Sequence, residues 1–192
     1  MKIVNEKQAI AQLTAGGVGV IPTDTVYGLV AKASNEAAVK KLYALKKRES
    51  KPGTIIAANI NQLVGLGIPR RYLKAVEQFW PNPISIEIPH NVTYLHQGTG
   101  RQAFRIPSDP ILIALLEETG PLQTSSANQP GEPPAVTVTE AERYFGNTVD
   151  FYVDGGDLSN RKPSTIIRVV DDAIDVIREG AVKIDDRGII QS

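Results

Sequence analysis

The chain contains no cysteine, which excludes disulfides, thiol nucleophiles and every zinc or iron–sulfur site that needs cysteine ligands. Histidine occurs only twice, at His90 and His96, in a stretch rich in Asn, Pro and Gly. Neither histidine has a companion at the spacing of a metal site, and we predict that both are solvated loop residues. No Gly-x-Ser-x-Gly elbow is present either, so the sequence does not indicate covalent catalysis.

Net charge is also missing, because 21 basic residues balance 21 acidic ones and the pI is about 6.7. This weakens the case for a dedicated nucleic-acid-binding domain, whose pI is usually above roughly 9. No apolar run approaches the roughly 18 residues that would indicate a membrane span. The N-terminal segment MKIVNEKQAIAQL is interrupted by charge and lacks a signal-peptide core. We therefore expect a soluble, cytoplasmic protein without a membrane partner.

The usual nucleotide-binding signatures are absent as well. The dipeptide Gly-Lys does not occur, which excludes a Walker A loop. Three Gly-x-Gly pairs, which begin at Gly17, Gly65 and Gly98, lack the third glycine of a dinucleotide fingerprint. Any nucleotide site in this chain must therefore be built in another way.

What is present indicates a mixed α/β fold around one well-buried core. Hydrophobic periodicity and capping residues predict helices at 5–15, from Ser34 or Asn35 to the Lys/Arg cluster, and at 60–66, 69–79, 109–118 and 137–145. Strands are predicted at 18–22, after Gly28, and at 54–58, 83–88, 102–106, within PLQTSSAN, and at 149–153, 164–170, 173–178 and 181–184. Thr137 and Glu140 have the spacing of a capping box. No repeat or composition shift marks a boundary, so we predict a single domain over residues 1–192.

Polar side chains recur where the predicted buried strands end. They are Thr23, Thr25, Lys46, Arg48, Lys51, Arg105, Thr124, Ser125, Ser126, Asn128, Ser164, Thr165 and Arg178. In open α/β sheets, strand ends line the ligand crevice. If these ends converge, several cations and a ring of short donors meet in one place, which is a site suited to phosphate and carboxylate groups.

Each part of this set has a second interpretation. The cluster of Lys46, Lys47, Arg48 and Lys51 is also typical of a solvated helix C-terminus that the helix dipole favours. Arg105 points either to a solvent face or to a buried anion, because strand side chains alternate between faces. The segment TSSAN is also compatible with an ordinary turn.

Taken together and in order, these segments resemble the YrdC/TsaC family of threonylcarbamoyl-AMP synthases, in its short form. The segments are PTDTVYGL (22–29), LKKRESKP (45–52), FWPNPISI (79–86), AFRIP (103–107), TSSANQPGEPPAVT (124–137), KPSTIIRV (162–169) and IREGAV (177–182). The resemblance covers nearly the whole chain. It implies a single twisted mixed sheet flanked by helices, with a basic concave cavity.

The resemblance also implies a reaction. L-Threonine, bicarbonate and ATP give L-threonylcarbamoyladenylate and pyrophosphate, and a separate tRNA threonylcarbamoyl-transferase complex uses this product to modify tRNA. The implied nucleotide-binding residues are Lys46, Arg48, Lys51, Ser126, Asn128 and Arg178. The implied threonine-binding residues are Thr25, Arg105, Thr124 and Ser164. No covalent catalytic residue is implied, and a Mg²⁺ ion is expected to bridge the ATP phosphates, with few or no protein ligands.

Three features depart from the family's pattern, and one of them is Asn82, which stands where glycine is usual. The spacing between Arg48 and Lys51 is one residue short, which affects the role assigned to Lys51, and Ser85 stands where threonine is common. Two other functions stay open. One is a non-catalytic RNA-binding module that uses the same basic cavity, against which the zero net charge counts; for the synthase itself, only weak tRNA contact is expected. The other is a relative that transfers a carbamoyl group to a different acceptor.

Overall fold

The computed structural model of the chain describes residues 2–47, 50–171, 173–185 and 187–191. The helices are α1 (Glu6–Thr14), α2 (Glu36–Leu45), α3 (Ile60–Gly65), α4 (Arg70–Ala75), α5 (Thr93–His96), α6 (Pro110–Thr119) and α7 (Val138–Phe145). The strands are β1 (Val18–Ile21), β2 (Gly28–Lys32), β3 (Thr54–Ile56), β4 (Ile84–Pro89), β5 (Arg101–Arg105), β6 (Leu122–Ser126), β7 (Phe151–Tyr152), β8 (Thr165–Val170), β9 (Ala173–Arg178), β10 (Lys183–Ile184) and β11 (Ile190–Gln191). A 3₁₀ turn, Glu77–Phe79, follows α4.

Across the described residues, strands β1 to β9 form one mixed sheet in the order β7-β1-β2-β6-β3-β5-β4-β8-β9. The pairs β1/β7, β3/β5 and β4/β8 are parallel, and the other neighbours are antiparallel. Strands β10 and β11 form a separate antiparallel pair. The predicted mixed sheet with flanking helices is therefore confirmed.

The two faces of the sheet are covered differently. One face packs its alternate residues, such as Leu29, Ile55 and Phe104, against α2 and neighbouring helices in the main core. The opposite face packs Val30 and Ile56 against α1 and α6, and this second core covers only one end of the face. Because side chains alternate along each strand, the uncovered end presents every second residue of several strands to one concave surface.

Local sequence signals account for the ends of several helices. Asn5 caps α1 in a complete capping box with Gln8, and Asn35 caps α2 by accepting a hydrogen bond from the backbone N–H of Ala38. Asp109 caps α6, whose first residue is Pro110. The predicted positions of these helices are confirmed to within a residue or two.

The capping box predicted for α7 is only half present. Thr137 accepts a hydrogen bond from the backbone N–H of Glu140, as predicted. The Glu140 carboxylate, however, accepts from the backbone N–H of Val136 at 2.9 Å rather than from that of Thr137. The single helix predicted over 69–79 is also wrong in part, because α4 ends at Ala75 and a 3₁₀ turn continues the segment.

The prediction that His90 and His96 are solvated loop residues is wrong. Both side chains are buried, and their rings lie 4.9 Å apart in an edge-on arrangement. The segment between them contains the short helix α5, and the Nδ1 atom of His96 accepts hydrogen bonds from the backbone N–H groups of Gly98 and Gly100, both at 3.1 Å. The histidines are therefore interior acceptors that order a tight return of the chain.

Candidate active-site cavity

A cavity of about 470 Å³ lies over the uncovered end of the sheet. Its floor is formed by the strand residues that alternation places on this face, including Thr54, Ala103, Thr124 and Ile166. This volume is in the range of pockets that hold small-molecule ligands. The ends of strands that are distant in sequence therefore converge, as the sequence predicted.

Most of the predicted site residues border this one cavity. The seven that line it are Thr25, Lys51, Arg105, Thr124, Ser126, Ser164 and Arg178. Arg48 lies outside the described residues. Lys46 and Asn128 are not among the lining residues. Asn128 lies in the loop that follows β6, and Lys46 contacts this loop. The geometry thus brings residues from both predicted groups, nucleotide-binding and threonine-binding, to the same surface.

Lys46 ends helix α2 with its side chain buried rather than solvated. Its ammonium group donates to the carbonyl oxygen of Ser126 at 2.8 Å, to the Oδ1 atom of Asn128 at 2.7 Å and also to the carbonyl oxygen of Asn128. The hydroxyl of Ser126 donates to the same Oδ1 atom at 2.7 Å. Lys46, at the end of helix α2, therefore fixes the conformation of the 126–128 loop.

Arg105 is buried, with only 4% of its side chain exposed, so the solvent-facing alternative does not hold. Its Nη2 atom donates to the Oδ1 atom of Asp24 at 2.8 Å, in a pair that is buried on both sides. Asp24 belongs to the PTDT segment between β1 and β2, where Thr23 accepts from the backbone N–H of Thr25 and the two hydroxyls lie 3.0 Å apart. Sequence reasoning named Arg105 and Thr25 but missed Asp24.

A chain of polar contacts joins Arg105 to Arg178 across the cavity floor. The Nη1 atom of Arg105 lies 3.5 Å from the hydroxyl of Ser85, and the hydroxyls of Ser85 and Ser164 are 2.8 Å apart. Arg178 donates through Nη2 to the carbonyl oxygen of Ser164 at 2.7 Å. Two arginines assigned to different substrates therefore share a pair of buried serines.

Three lining residues at one end of the cavity were not predicted: Glu87, Arg101 and Arg168. Arg168 donates to the carboxylate of Glu87 at 2.6 Å through Nη2, and this hydrogen bond and the charge of Glu87 raise the pKa of Arg168. Alternation could have found Arg101, because it is in phase with Arg105 along the same strand. Glu87 and Arg168 come together only through the parallel pairing of β4 with β8.

The described residues that line the cavity carry more positive than negative charge. Five are cationic, namely Lys51, Arg101, Arg105, Arg168 and Arg178, whereas Glu87 is the single carboxylate among them. Arginine forks and a lysine ammonium in one concavity are suited to binding phosphate and carboxylate groups.

Two glycines allow the floor of the cavity to close around Thr124. A Cβ atom on Gly53 would lie 2.2 Å from the carbonyl oxygen of Thr124, and one on Gly28 would lie 2.7 Å from its hydroxyl. Neither contact is sterically tolerable without movement of the backbone or of Thr124. Glycine is thus required at these positions by close approach between neighbouring strands.

Among the described residues, no cluster of three or more His, Cys, Asp or Glu side chains forms a candidate metal site. In the same residues, no helix has the length and apolarity needed to cross a bilayer.

Comparison with known proteins identifies the architecture. Residues 11–180 match the sequence profile of the Sua5/YciO/YrdC family, which carries the description "Telomere recombination". The threonylcarbamoyl-AMP synthase of Pseudomonas aeruginosa is 38% identical over 162 residues, which cover 80% of this chain and 85% of that protein. The corresponding enzyme of Marinobacter nauticus is 35% identical over 175 residues, with 84% and 90% covered.

A solved structure gives the same result in three dimensions. The Sua5 protein of P. abyssi, complexed with L-threonine, superposes with a TM-score of 0.81 at 27% identity over 94% of this chain. This chain spans only 56% of that longer protein. The profile match, the two bacterial relatives and the shared fold agree, and the chain therefore belongs to the Sua5/YciO/YrdC family.

Proposed function

We propose that this chain is a threonylcarbamoyl-AMP synthase, a nucleotidyltransferase that converts L-threonine, bicarbonate and ATP to L-threonylcarbamoyladenylate, pyrophosphate and water. The observation that carries the proposal is the convergence of seven predicted binding residues, from six separate segments, on one cavity of about 470 Å³. Relatives that are 33–38% identical over most of this chain bear the name of this enzyme.

The nucleotide half of the site is assigned to Lys46, Arg48, Lys51, Ser126, Asn128 and Arg178. Lys51 and Arg178 both border the cavity. In this proposal Lys51 supplies a point charge for the triphosphate, and Arg178 supplies the forked donors of its guanidinium. The role of Lys46 is refined by its contacts, because its ammonium holds the 126–128 loop, of which Ser126 borders the cavity. Arg48, which completes the basic triplet, is retained from the sequence.

The threonine half is assigned to Thr25, Arg105, Thr124 and Ser164. Three of them carry hydroxyl groups at the edge of the floor, where they pair with the amino acid's polar atoms. The guanidinium of Arg105 is the partner for the carboxylate, because a planar fork matches a carboxylate in geometry as well as charge.

The chemistry follows from holding the two substrates side by side. The deprotonated amine of threonine attacks the carbon of carbon dioxide, or of bicarbonate with loss of water, and forms a carbamate. A carbamate oxygen then attacks the α-phosphorus of ATP, the bond to the β-phosphate oxygen breaks, and pyrophosphate leaves. Neither step needs a covalent enzyme intermediate, so positioning and fixed positive charge supply the catalysis.

Mg²⁺ enters this proposal with the triphosphate and not through a protein cage. The described cavity offers Glu87 as its one lining carboxylate, and Glu87 is already paired with Arg168. A hard cation prefers oxygen ligands, and the phosphate oxygens and water supply them. When bound, the ion neutralises charge that develops on the departing pyrophosphate.

The product serves N6-threonylcarbamoyladenosine formation in tRNA, and the proposed partner is the transferase complex that carries the threonylcarbamoyl group to tRNA. The cytoplasm supplies both ATP and tRNA, so the proposal places the enzyme there. Direct tRNA contact is expected to be weak, because the zero net charge gives little long-range attraction to a polyanion.

The decisive experiment incubates the purified protein with ATP, Mg²⁺, ¹⁴C-bicarbonate and L-threonine, and measures pyrophosphate together with a labelled adenylate. We expect pyrophosphate release that depends on threonine. Arg178→Ala is expected to raise the KM for ATP at least about tenfold, since it removes a charge-assisted contact. Arg143→Ala is the matched control, because Arg143 is an exposed arginine outside the cavity.

The alternatives predict different results in the same assay. Pyrophosphate release that ignores threonine but responds to another acceptor would replace this function with that of a carbamoyl-transferring relative. A tight, salt-sensitive tRNA complex without ATP turnover would favour the RNA-binding module. Absence of any threonine-dependent pyrophosphate contradicts the proposal.

A further inference from the structure

The buried carboxylate of Asp24 compensates the positive charge of Arg105 at the cavity. Both side chains are almost fully inaccessible, at 6% and 4% exposure, and one hydrogen bond of 2.8 Å joins them. The Nε atom of Arg105 and the Oδ2 atom of Asp24 have no hydrogen-bond partner. Arg105 borders the cavity whereas Asp24 does not, so the carboxylate lies behind the guanidinium and acts through it.

The remaining cations among the described lining residues are Lys51, Arg101, Arg168 and Arg178. Arg168 is compensated by Glu87, in an ion pair that is partly exposed. Lys51 and Arg178 are the two lining cations that the proposal above assigns to the triphosphate. The pair of Arg105 and Asp24 is therefore neutral overall, although it presents guanidinium donors to the cavity.

We infer that Asp24 is a specificity-determining residue that keeps phosphate groups out of the threonine subsite. The inference rests on the proposed function. An overall neutral donor matches a zwitterionic amino acid, which carries no net charge but needs donors for its carboxylate. An uncompensated guanidinium in the same dry position would attract a polyphosphate more strongly than an amino acid, because charge interactions are poorly screened where water is excluded.

The need for such discrimination arises from the arrangement of the floor. Ser85 and Ser164 link Arg105 directly to Arg178, so the two arginines are close enough to share hydrogen-bonded neighbours. A triphosphate or a pyrophosphate product held by Arg178 could otherwise extend onto Arg105 and block threonine. Neutralising Arg105 keeps the anion on Arg178 and away from the threonine subsite.

Asp24→Asn tests the inference, because asparagine keeps an oxygen acceptor for Arg105 and removes only the charge. The assay is isothermal titration of L-threonine into the full chain, with and without sodium pyrophosphate. In the wild type, pyrophosphate is expected to leave the Kd for threonine unchanged within about twofold. In the variant, pyrophosphate at ten times its own Kd is expected to raise the apparent Kd for threonine about tenfold, as simple competition requires.

Asp157→Asn is the matched control, since it makes the same change in net charge at an exposed carboxylate outside the cavity. It should show no competition between the two ligands. Loss of threonine affinity in Asp24→Asn without competition by pyrophosphate would show a purely structural role and overturn the inference. Unchanged threonine binding without competition would overturn it as well.

A wild-type measurement decides the matter if Asp24→Asn does not melt cooperatively. Competition between pyrophosphate and threonine in the wild type contradicts the inference, whereas independent binding of the two supports it. Failure of the proposed function has a different signature, namely no threonine binding at all in the wild type. In that case the affinity for pyrophosphate still reports on Asp24, because the Kd for pyrophosphate is expected to be lower in Asp24→Asn than in the wild type.

Discussion

The buried histidine His90 predicts that the protein loses stability in mildly acidic solution. Burial, together with the charge of the neighbouring His96, lowers the pKa of His90 from 6.5 to about 4. Its Nδ1 atom accepts a hydrogen bond from the backbone N–H of Val92 at 3.2 Å. A side-chain hydrogen bond with Gln102 acts in the opposite direction and raises the pKa, but burial outweighs it. The folded protein therefore holds this imidazole neutral at pH values at which the unfolded chain protonates it.

The direction and size of the effect follow from proton linkage. Because the folded pKa lies below the unfolded one, the unfolded state binds the extra proton first, and the free energy of unfolding falls as the pH drops from about 6.5 to about 4. The full difference corresponds to about 3 kcal/mol, and about 2 kcal/mol of it is lost between pH 7 and pH 5. For a chain of this length, that loss lowers Tm by about 4–8 °C.

The assay is urea unfolding at pH 7 and at pH 5, with His90→Asn as the comparison. The Oδ1 atom of asparagine can replace Nδ1 as the acceptor for the backbone N–H of Val92, whereas the titrating group is gone. The variant is expected to be less stable at pH 7 because it packs less well, but to lose about 2 kcal/mol less than the wild type between the two pH values. An equal loss in both proteins would refute the reasoning, because another group would then cause the pH dependence.

Two further predictions concern close packing and a partly exposed ion pair. Gly53→Ala should lower the free energy of unfolding by about 1–3 kcal/mol, because the new Cβ would meet the Thr124 carbonyl oxygen at 2.2 Å. Gly65→Ala is the control: its Cβ has open space around it, so the change should be neutral or stabilise the protein by up to about 1 kcal/mol. Equal Tm values for the two variants would contradict this prediction. Burial raises the pKa of Asp150, but hydrogen bonds from Lys41 and a backbone N–H outweigh burial and hold that pKa below its ordinary 3.8. Its contribution to stability is therefore present above pH 3.8 and disappears as the pH falls through the lowered pKa. Asp150→Asn should therefore cost up to about 1 kcal/mol at pH 7, and the cost should shrink steadily as the pH falls below 3.8, as thermal melts over this pH range would show.

The helices and central strands could be predicted from the sequence because their signals are local. Asn5, Asn35 and Asp109 satisfy the first backbone N–H groups of the helices that follow them, and this depends only on residues a few positions away. The apolar runs around Val20 and Ile55 were predicted to be buried strands for the same kind of reason, since few polar atoms in them need solvent. Such elements require no knowledge of what packs against them.

The burial of the two histidines could not be predicted in this way, because the groups that surround them come from distant parts of the chain. A stretch of Asn, Pro and Gly is typical of an exposed loop, and on that basis His90 and His96 were expected to meet water. The structure buries them against each other and against Phe104 of strand β5, where the second ring and the returning backbone supply their partners. No sequence pattern within residues 90–100 predicts those contacts.

The sequence by itself determined which residue types this protein has available for binding phosphate and carboxylate groups, and in which segments they lie. The order of segments around PTDT, AFRIP and TSSAN was enough to predict a mixed sheet with polar strand ends. Only the tertiary structure decided how charge is shared among them, because ion pairing depends on which side chains the sheet brings together. Asp24 lies 81 positions before Arg105, and Glu87 lies 81 positions before Arg168. Strand order and register make these pairs, and they set which cations of the cavity remain for an anionic ligand.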